Sequence, residues 1–198
     1  SEVLFELCLE TPEILPPFGE VAKNTLQVNF FANLDVCEML FPILRPHSRV
    51  CNISSSKGKK ALDQTSKAWK DRLLCADIDM EELKDIVHTY VKAAQDNSHL
   101  EKGFSGFAYG MSKLAMNVMT AIHQREVDKK GGKDILINAC SPGFVATDLN
   151  LHTGTLTLEE GSETPVYIAL LPPNINEPRG KFLRNKEISK DIQGCWTS

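Results

Sequence analysis

One tyrosine and one lysine in this sequence have the spacing of a proton-donating pair. Tyr109 and Lys113 stand four residues apart in a segment, 107–127, whose apolar positions recur at helical spacing. Both side chains therefore lie on one helix face, one turn apart. A lysine ammonium beside a tyrosine lowers the pKa of the phenol, which is normally about 10. Such a tyrosine can protonate a carbonyl oxygen while hydride adds to the carbonyl carbon. A chance pair on a solvated helix is the alternative that the spacing alone leaves open.

Two loops that follow predicted strands could complete a site with this pair. Consecutive serines, Ser54 to Ser56, follow a short β-branched strand predicted over 49–53, where a hydroxyl is well placed to bind a carbonyl oxygen. Pro142-Gly143 follows a nearly continuous apolar strand predicted over 134–139. Ligands of α/β sheets bind beyond the carboxyl ends of the strands. Simple serine-rich and Pro-Gly turns are the alternative interpretations.

The order of the predicted elements is that of an α/β fold with a parallel sheet. Besides the segments already described, the pattern predicts an irregular arm over 1–16, a long helix over 20–44, a polar loop over 54–60, a helix over 79–94, a helix through 166–171 and a short strand near 181–183. No internal repeat or low-complexity tract interrupts this order.

Length and composition fit one globular domain, since 42% of the 198 residues are hydrophobic and 24% are charged. The net charge of −4 argues against non-specific nucleic-acid binding. No apolar run approaches the roughly 18 residues of a membrane span, and the acidic first residues do not resemble a signal peptide. The six cysteines lack C-x-x-C spacing, which indicates reduced thiols in a cytoplasmic protein.

No metal site is predicted. Asp77-x-Asp79-x-Glu81 begins like a calcium loop, but the sixth position is not glycine and the twelfth is His88. Asp79 is therefore interpreted as the N-cap of the helix over 79–94. The five histidines have no metal-ligand spacing.

Taken together and in this order, these residues resemble the short-chain dehydrogenase/reductase family, most closely its monomeric NADPH-dependent carbonyl reductase branch. The similarity runs from about Pro17 to about Glu187. The stretches that carry it are NFF at 29–31, DVC at 35–37, RVCNISS at 49–55, AYG at 108–110 with Lys113, NACSPG at 138–143 and ETPVYIALLPP at 163–173.

The resemblance implies a doubly wound, Rossmann-like sheet and an oxidoreductase that uses NADPH to reduce a small-molecule carbonyl substrate, such as a ketone, aldehyde or quinone, to an alcohol. It implies that Tyr109 is the general acid, and that Lys113 lowers its pKa and binds the nicotinamide ribose. Ser55 would hold the carbonyl oxygen. Asn29 would fix a helix bend and a water that relays protons to Lys113.

The resemblance also assigns the loop 142–147 to the nicotinamide end of the cofactor. The cofactor contacts that it implies there are Pro142, Gly143, Val145, Ala146 and Thr147. Phe144 stands where the carbonyl reductases usually have tryptophan, and it would line the substrate site. The run Lys57-Gly58-Lys59-Lys60 is more basic than this resemblance leads us to expect at the substrate rim. A helical insertion over 57–106, between Ser55 and Tyr109, covers the surface that other members use to form tetramers, which implies a monomer.

The sequence departs from the family in lacking its T-G-x-x-x-G-x-G and N-N-A-G motifs. The glycines of the first motif bring the backbone close to the cofactor pyrophosphate at a helix N-terminus. Gly103, Gly106 and Gly110 cannot replace them, because no predicted strand precedes these three glycines. The expectation is a single domain over 1–198 that corresponds to the C-terminal part of the family fold and ends in a tail over 188–198. A catalytically silent product that acts at most as an interaction protein is the alternative.

Overall fold

A computed structural model describes residues 16–190 and 192 of the chain. Its first part is a continuous helical rod made of α1 (Phe18–Leu26), a π-helical turn (Gln27–Phe31), α2 (Ala32–Leu40) and a 3-10 turn (Phe41–Ile43). The later elements are β1 (Arg49–Ile53), α3 (Lys57–Gln64), α4 (Lys67–Leu73), α5 (Met80–Gln95), α6 (Ala108–Lys129), β2 (Leu136–Ser141), a 3-10 turn (Asp148–Asn150), α7 (Leu158–Ala169), β3 (Phe182–Arg184) and β4 (Glu187–Ile188). The arm predicted over 1–16 lies outside the described residues except for Pro16.

The strands form one sheet in the order β1-β2-β3-β4, in which the first three are parallel and β4 is antiparallel to β3. β2 is buried along its whole length because helices cover both of its faces. On one face Ile137 donates its N–H to Gln124 of α6, and on the other Leu136 and Cys140 pack against Ile168 of α7. The doubly wound α/β architecture is therefore confirmed. Within the described residues, β1 has a partner strand on one side only.

The longest helix, α6, is buried on almost every side. Its side chains from Ala108 to Gln124 are nearly all inaccessible, and it contacts α1, α3, α5 and β2. The buried side chains include polar ones, such as those of Thr120 and Gln124, which hydrogen-bond to backbone groups inside the protein. The neighbours of α6 also come very close, since a Cβ added to Gly58 of α3 would lie 3.0 Å from the backbone nitrogen of Leu114.

The strand predicted over 49–53 has the observed limits of β1, and the helix predicted over 79–94 agrees with α5. Asp79 caps α5 as expected, because its carboxylate accepts the backbone N–H of Glu82 at 2.9 Å. The helix predicted over 107–127 is α6, which continues to Lys129. Of these elements, α5 combines a helical period with a capping residue at its start, and both signals are local.

Two predicted segments were wrong in their limits for reasons of tertiary structure. The polar loop over 54–60 ends at Ser56, because α3 begins at Lys57 and packs on α6. The strand predicted from Asp134 begins at Leu136, since Asp134 has a left-handed backbone with φ of 52°. Its carboxylate is held by the Arg49 guanidinium at 3.0 Å, which ties the loop before β2 to the first residue of β1.

The two other predicted helices also differ from the structure. The helix over 20–44 is interrupted by the π-helical turn and ends as an α-helix at Leu40. The helix through 166–171 starts earlier, at Leu158, because Thr157 and Glu160 form a capping box with reciprocal bonds of 3.2 and 2.8 Å. The last predicted strand, near 181–183, is β3.

The insertion over 57–106 is helical, as expected, and consists of α3, α4 and α5 with their connections. Helix α5 packs against α1 and α6, so the insertion covers the outer side of these helices. The tail expected over 188–198 is in part packed on the sheet. Ile188 belongs to β4, and Ile192 is buried against Ala139 and Phe182.

Gln124 stabilises the contact between α6 and β2, and its replacement by methionine tests this. The buried amide donates to the Ile135 carbonyl at 3.0 Å and accepts the Ile137 N–H at 2.6 Å. Gln124→Met keeps the volume but leaves both backbone groups unpaired, at about 1–3 kcal/mol each. Urea denaturation should show a loss of about 2–4 kcal/mol in the free energy of unfolding. The exposed control, Gln95→Met, should stay within about 0.5 kcal/mol of the wild type. Equal losses in the two variants would contradict this role.

Candidate active site

The pairing of β1 with β2 brings the two predicted loops to one edge of the sheet. Ile53 at the end of β1 is in register with Cys140, and the Ser54 N–H donates to the Cys140 carbonyl at 2.8 Å. Ser55 and Pro142 therefore leave neighbouring parallel strands at their carboxyl ends. This is the edge at which ligands of α/β sheets bind.

Helix α6 places Tyr109 and Lys113 at the same edge. The Ser55 side chain faces the Tyr109 hydroxyl closely enough to lower its pKa. The Lys113 ammonium donates to the Ile53 carbonyl at 2.9 Å, and the Lys113 carbonyl accepts from the Ser54 hydroxyl at 3.1 Å. The structure thus brings together three of the predicted catalytic residues, Ser55, Tyr109 and Lys113, through direct contacts between α6 and the end of β1.

Burial is the dominant influence on the Tyr109 phenol and raises its pKa above 10. The Ser55 side chain and the positive charge of Lys57 oppose that rise. A phenol with a raised pKa keeps its proton at neutral pH, which is the state that a proton donor needs. Burial also lowers the pKa of Lys113, whose ammonium lies 5.6 Å from the centroid of the Tyr109 ring. That Lys113 lowers the Tyr109 pKa stays a prediction.

Lys57 is a residue near the site whose influence on Tyr109 the sequence analysis missed. Its backbone N–H donates to the Ser55 hydroxyl oxygen at 3.2 Å, and a Cβ on Gly110 would come within 2.9 Å of its carbonyl. The first turn of α3 therefore lies directly against the turn that carries Tyr109. The basic run at 57–60 was the signal that could have drawn attention to Lys57, but the sequence analysis assigned these residues to a loop and not to a helix.

Asn29 reaches the site through one intervening side chain. It lies in the π-helical turn, and its amide donates to the Ser112 hydroxyl at 3.1 Å. Ser112 in turn donates to the Tyr109 carbonyl at 2.8 Å. Asn29 thus links the π-helical turn to the first turn of α6, whereas its parts in a helix bend and in a proton relay stay predictions.

The loop 142–147 is shaped by one glycine with a left-handed backbone. Gly143 has φ of 85°, and a Cβ there would lie 2.4 Å from the Leu156 side chain. The next residue, Phe144, is 47% exposed and presents an apolar ring at the surface, while its carbonyl accepts the N–H groups of Thr155 and Leu156. Backbone hydrogen bonds to residues 155 and 156 therefore hold the loop in place, while the Phe144 ring stays accessible to a ligand.

Further along, the loop uses some of its polar groups internally. The Ala146 N–H donates to the Leu156 carbonyl at 2.8 Å, and the Thr147 N–H donates to the Asn150 side chain at 3.0 Å. The Val145 carbonyl accepts from the Asn150 amide at 2.8 Å and, like any carbonyl, has a second lone pair. The cofactor contacts of Pro142, Gly143, Val145, Ala146 and Thr147 stay predictions.

Residues 16–190 and 192 contain neither a cluster of metal-ligand side chains nor a membrane-spanning helix. No group of three or more histidine, cysteine, aspartate or glutamate side chains converges there as metal ligands would. Nor is any helix in this part of the chain both long enough and apolar enough to cross a membrane.

No protein-family model matches the chain, but individual relatives do. It is 44% identical over 173 residues to carbonyl reductase (NADPH) 3 of Rattus norvegicus, which covers 87% of this chain and 62% of that protein. It is 37% identical over 175 residues to carbonyl reductase (NADPH) 1 of Homo sapiens, covering 88% and 63% of the two chains. This chain is a homologue of the NADPH-dependent carbonyl reductases. It spans less than two-thirds of the length of these relatives.

Solved structures agree with this relationship. Salutaridine reductase from Papaver somniferum superimposes with a TM-score of 0.72 at 30% identity, over 92% of this chain and 62% of that one. Menthone neomenthol reductase from Mentha piperita gives a TM-score of 0.64 at 26% identity, over 83% and 50%. This chain therefore has the fold of the short-chain dehydrogenases/reductases over the part that superimposes.

The effect of Lys57 on Tyr109 can be measured in this chain directly. Lys57→Met removes a positive charge that favours the phenolate, so the pKa of Tyr109 should rise further. The measurement is a pH titration of the tyrosine Cζ resonances by NMR, with the Tyr109 signal assigned from a Tyr109→Phe sample. Lys59→Met is the matched control, since Lys59 is paired with Asp63 at 2.5 Å on the same helix. An unchanged or lowered Tyr109 pKa in Lys57→Met would refute the assignment.

Proposed function

We propose that this chain carries the catalytic groups of an NADPH-dependent reductase that converts carbonyl compounds (ketones, aldehydes or quinones) to alcohols. The observation that carries the proposal is that Ser55, Tyr109 and Lys113 meet at the carboxyl end of the parallel strands. The Lys113 ammonium donates to the last carbonyl of β1 at 2.9 Å, and Ser55 follows that strand. The relatives named as NADPH-dependent carbonyl reductases support the same chemistry.

In this proposal two hydroxyl groups meet the carbonyl oxygen of the substrate. Ser55 donates a hydrogen bond that orients the oxygen, and Tyr109 transfers its proton to that oxygen. Bound NADPH would supply the hydride to the carbonyl carbon. Lys113 then lies close enough to stabilise the phenolate that remains, because its ammonium is partly buried beside the ring.

The residues present fit the nicotinamide end of the cofactor. Lys113 would bind the ribose, and the surface of the loop 142–147, which Gly143 turns sharply, would hold the nicotinamide. A side chain at 143 would collide with Leu156, so this turn depends on glycine. The pyrophosphate is different, because the sequence contains no G-x-x-x-G-x-G stretch.

The surroundings of the site suggest the partner chemistry. Phe144 would form an apolar wall for a small substrate. The helical insertion that packs on α1 and α6 supports a monomer as the working form.

We also propose a cytoplasmic location, which is supported by the free thiols of Cys37, Cys51, Cys75 and Cys140.

An interaction role without catalysis is the second candidate. It is favoured by one observation, the outer edge of β1, which pairs with no strand in the part of the chain that the structure describes. An unpaired edge is a ready template for another strand. The two candidate functions can be distinguished because the reductase requires NADPH, whereas the interaction role does not.

The general-acid role of Tyr109 is tested in a chimera in which the nucleotide-binding segment of a carbonyl reductase precedes this chain. Tyr109→Phe removes only the transferable proton, so kcat should fall by about 10²-fold or more while NADPH affinity is kept. Steady-state kinetics with a quinone and a fluorescence titration with NADPH measure the two quantities. Retention of more than about a tenth of kcat would argue against a general acid.

Lys113 should behave differently in the same chimera, because two roles are proposed for it. Lys113→Met should reduce both turnover and NADPH affinity, since the ammonium would stabilise the phenolate and bind the ribose. The same titration and kinetics apply, with Lys59→Met as a control of equal charge change. An unchanged NADPH affinity in Lys113→Met would remove the cofactor-binding role and leave the catalytic one.

The 198-residue chain by itself should not bind NADPH with micromolar affinity and should not reduce quinones or aldehydes. A dinucleotide needs backbone N–H groups around its pyrophosphate, and the sequence lacks the glycine motif that supplies them. The edge of β1 that has no partner strand within residues 16–190 and 192 should also cause self-association. NADPH titration by fluorescence and size-exclusion chromatography test both points, with the chimera as the positive control. A monomer that binds NADPH tightly would contradict both expectations.

A further inference from the structure

Two cysteines on neighbouring parallel strands lie in direct contact. Cys51 of β1 and Cys140 of β2 have their sulfur atoms 3.5 Å apart. The strand register explains this proximity. Cys51 is paired with Asn138, two residues before Cys140, so both cysteine side chains project from the same face of the sheet. That is the face covered by α7.

The two thiols differ in access and in acidity. Cys140 is fully buried, whereas Cys51 is partly exposed. The hydrogen bond from Cys140 lowers the pKa of Cys51, although burial acts against it, and the same bond together with burial raises the pKa of Cys140. Of the two sulfurs, the accessible one on Cys51 is therefore the one that ionises more readily.

We propose that Cys51 and Cys140 form an oxidisable dithiol site, which hydroperoxides convert to an intramolecular disulfide between β1 and β2. The inference is independent of the reductase proposal. Only these two cysteines among the described residues have their sulfurs in contact, and an S–S bond of about 2.05 Å requires these two sulfurs to move closer together.

The reaction balances with the peroxide as the oxidant. The Cys51 thiolate attacks one peroxide oxygen and the O–O bond breaks, which gives a sulfenic acid. The alkoxide or hydroxide that leaves takes a proton from solvent to become an alcohol or water. The Cys140 sulfur then attacks the Cys51 sulfur, the S–O bond breaks, and water leaves with the thiol proton. Two electrons pass from the two sulfurs to the peroxide.

The bond would join the strands just before they enter the candidate active site. Cys51 precedes Ser54 by three residues, and Cys140 is followed by Ser141 and the Pro142-Gly143 turn. The oxidised form would therefore hold together the two strand ends that carry the loops of the site.

The test uses the 198-residue chain and hydrogen peroxide. After limited oxidation, free thiols are alkylated in denaturant, and the protein is digested without reduction and analysed by mass spectrometry. We expect one cross-linked peptide pair that contains residues 51 and 140, lighter by two hydrogens, with a yield that does not change on dilution. Cys75, which is also partly exposed, is the internal control and should remain alkylatable, as should the buried Cys37.

Two variants complete the test. Cys140→Ala should abolish the cross-link and leave Cys51 as a sulfenic acid that dimedone traps, whereas Cys51→Ser should leave Cys140 as a free thiol. Cys75→Ser should keep the cross-link. The proposal is overturned if wild-type Cys51 and Cys140 are both recovered as alkylated thiols, if Cys51 pairs with another cysteine, or if the link forms only between molecules. The wild-type mapping decides even if a variant fails to fold.

Discussion

The contact of α6 with the ends of β1 and β2 is the constraint on which the rest of the structure depends. The helix is attached to β1 through the Lys113 ammonium and the Ser54 hydroxyl, and to β2 through the amide of Gln124. The bonds of Ser54 and Gln124 are buried or partly buried, where an unpaired polar group is costly. The contact therefore fixes the sheet, the helix and the distance between Tyr109 and Ser55 in one step.

The chemistry of the site results from a balance between burial and charge. Burial raises the pKa of Tyr109 and lowers that of Lys113, so each change disfavours the charged form. Lys57, at the start of α3, acts in the opposite direction on the phenol. A tyrosine that stays protonated until its proton is needed, beside groups that stabilise its anion, is suited to donating a proton.

Register has consequences on both faces of the same strand pair. On the α6 side, Asn52 donates to the Thr120 hydroxyl at 2.7 Å, which helps to align the helix over β1. On the α7 side, the same register brings Cys51 against Cys140. If the pairing of β1 with β2 slipped by one residue, Asn52 would face α7 and Cys51 would face α6. The site geometry and the dithiol contact are thus two results of a single pairing.

The sequence by itself determined the elements with strong local signals, namely β1, α5 with its Asp79 cap, and α6 with Tyr109 and Lys113 one turn apart. It also indicated the family, because the motifs around these residues are specific. Only the tertiary structure decided that Lys57 begins a helix beside Tyr109, that β2 starts after Asp134, and that Cys51 touches Cys140. The physical reason is that helical and strand periods report which face of an element is buried, whereas the partner on that face depends on strand register and helix packing, which join residues far apart in the chain.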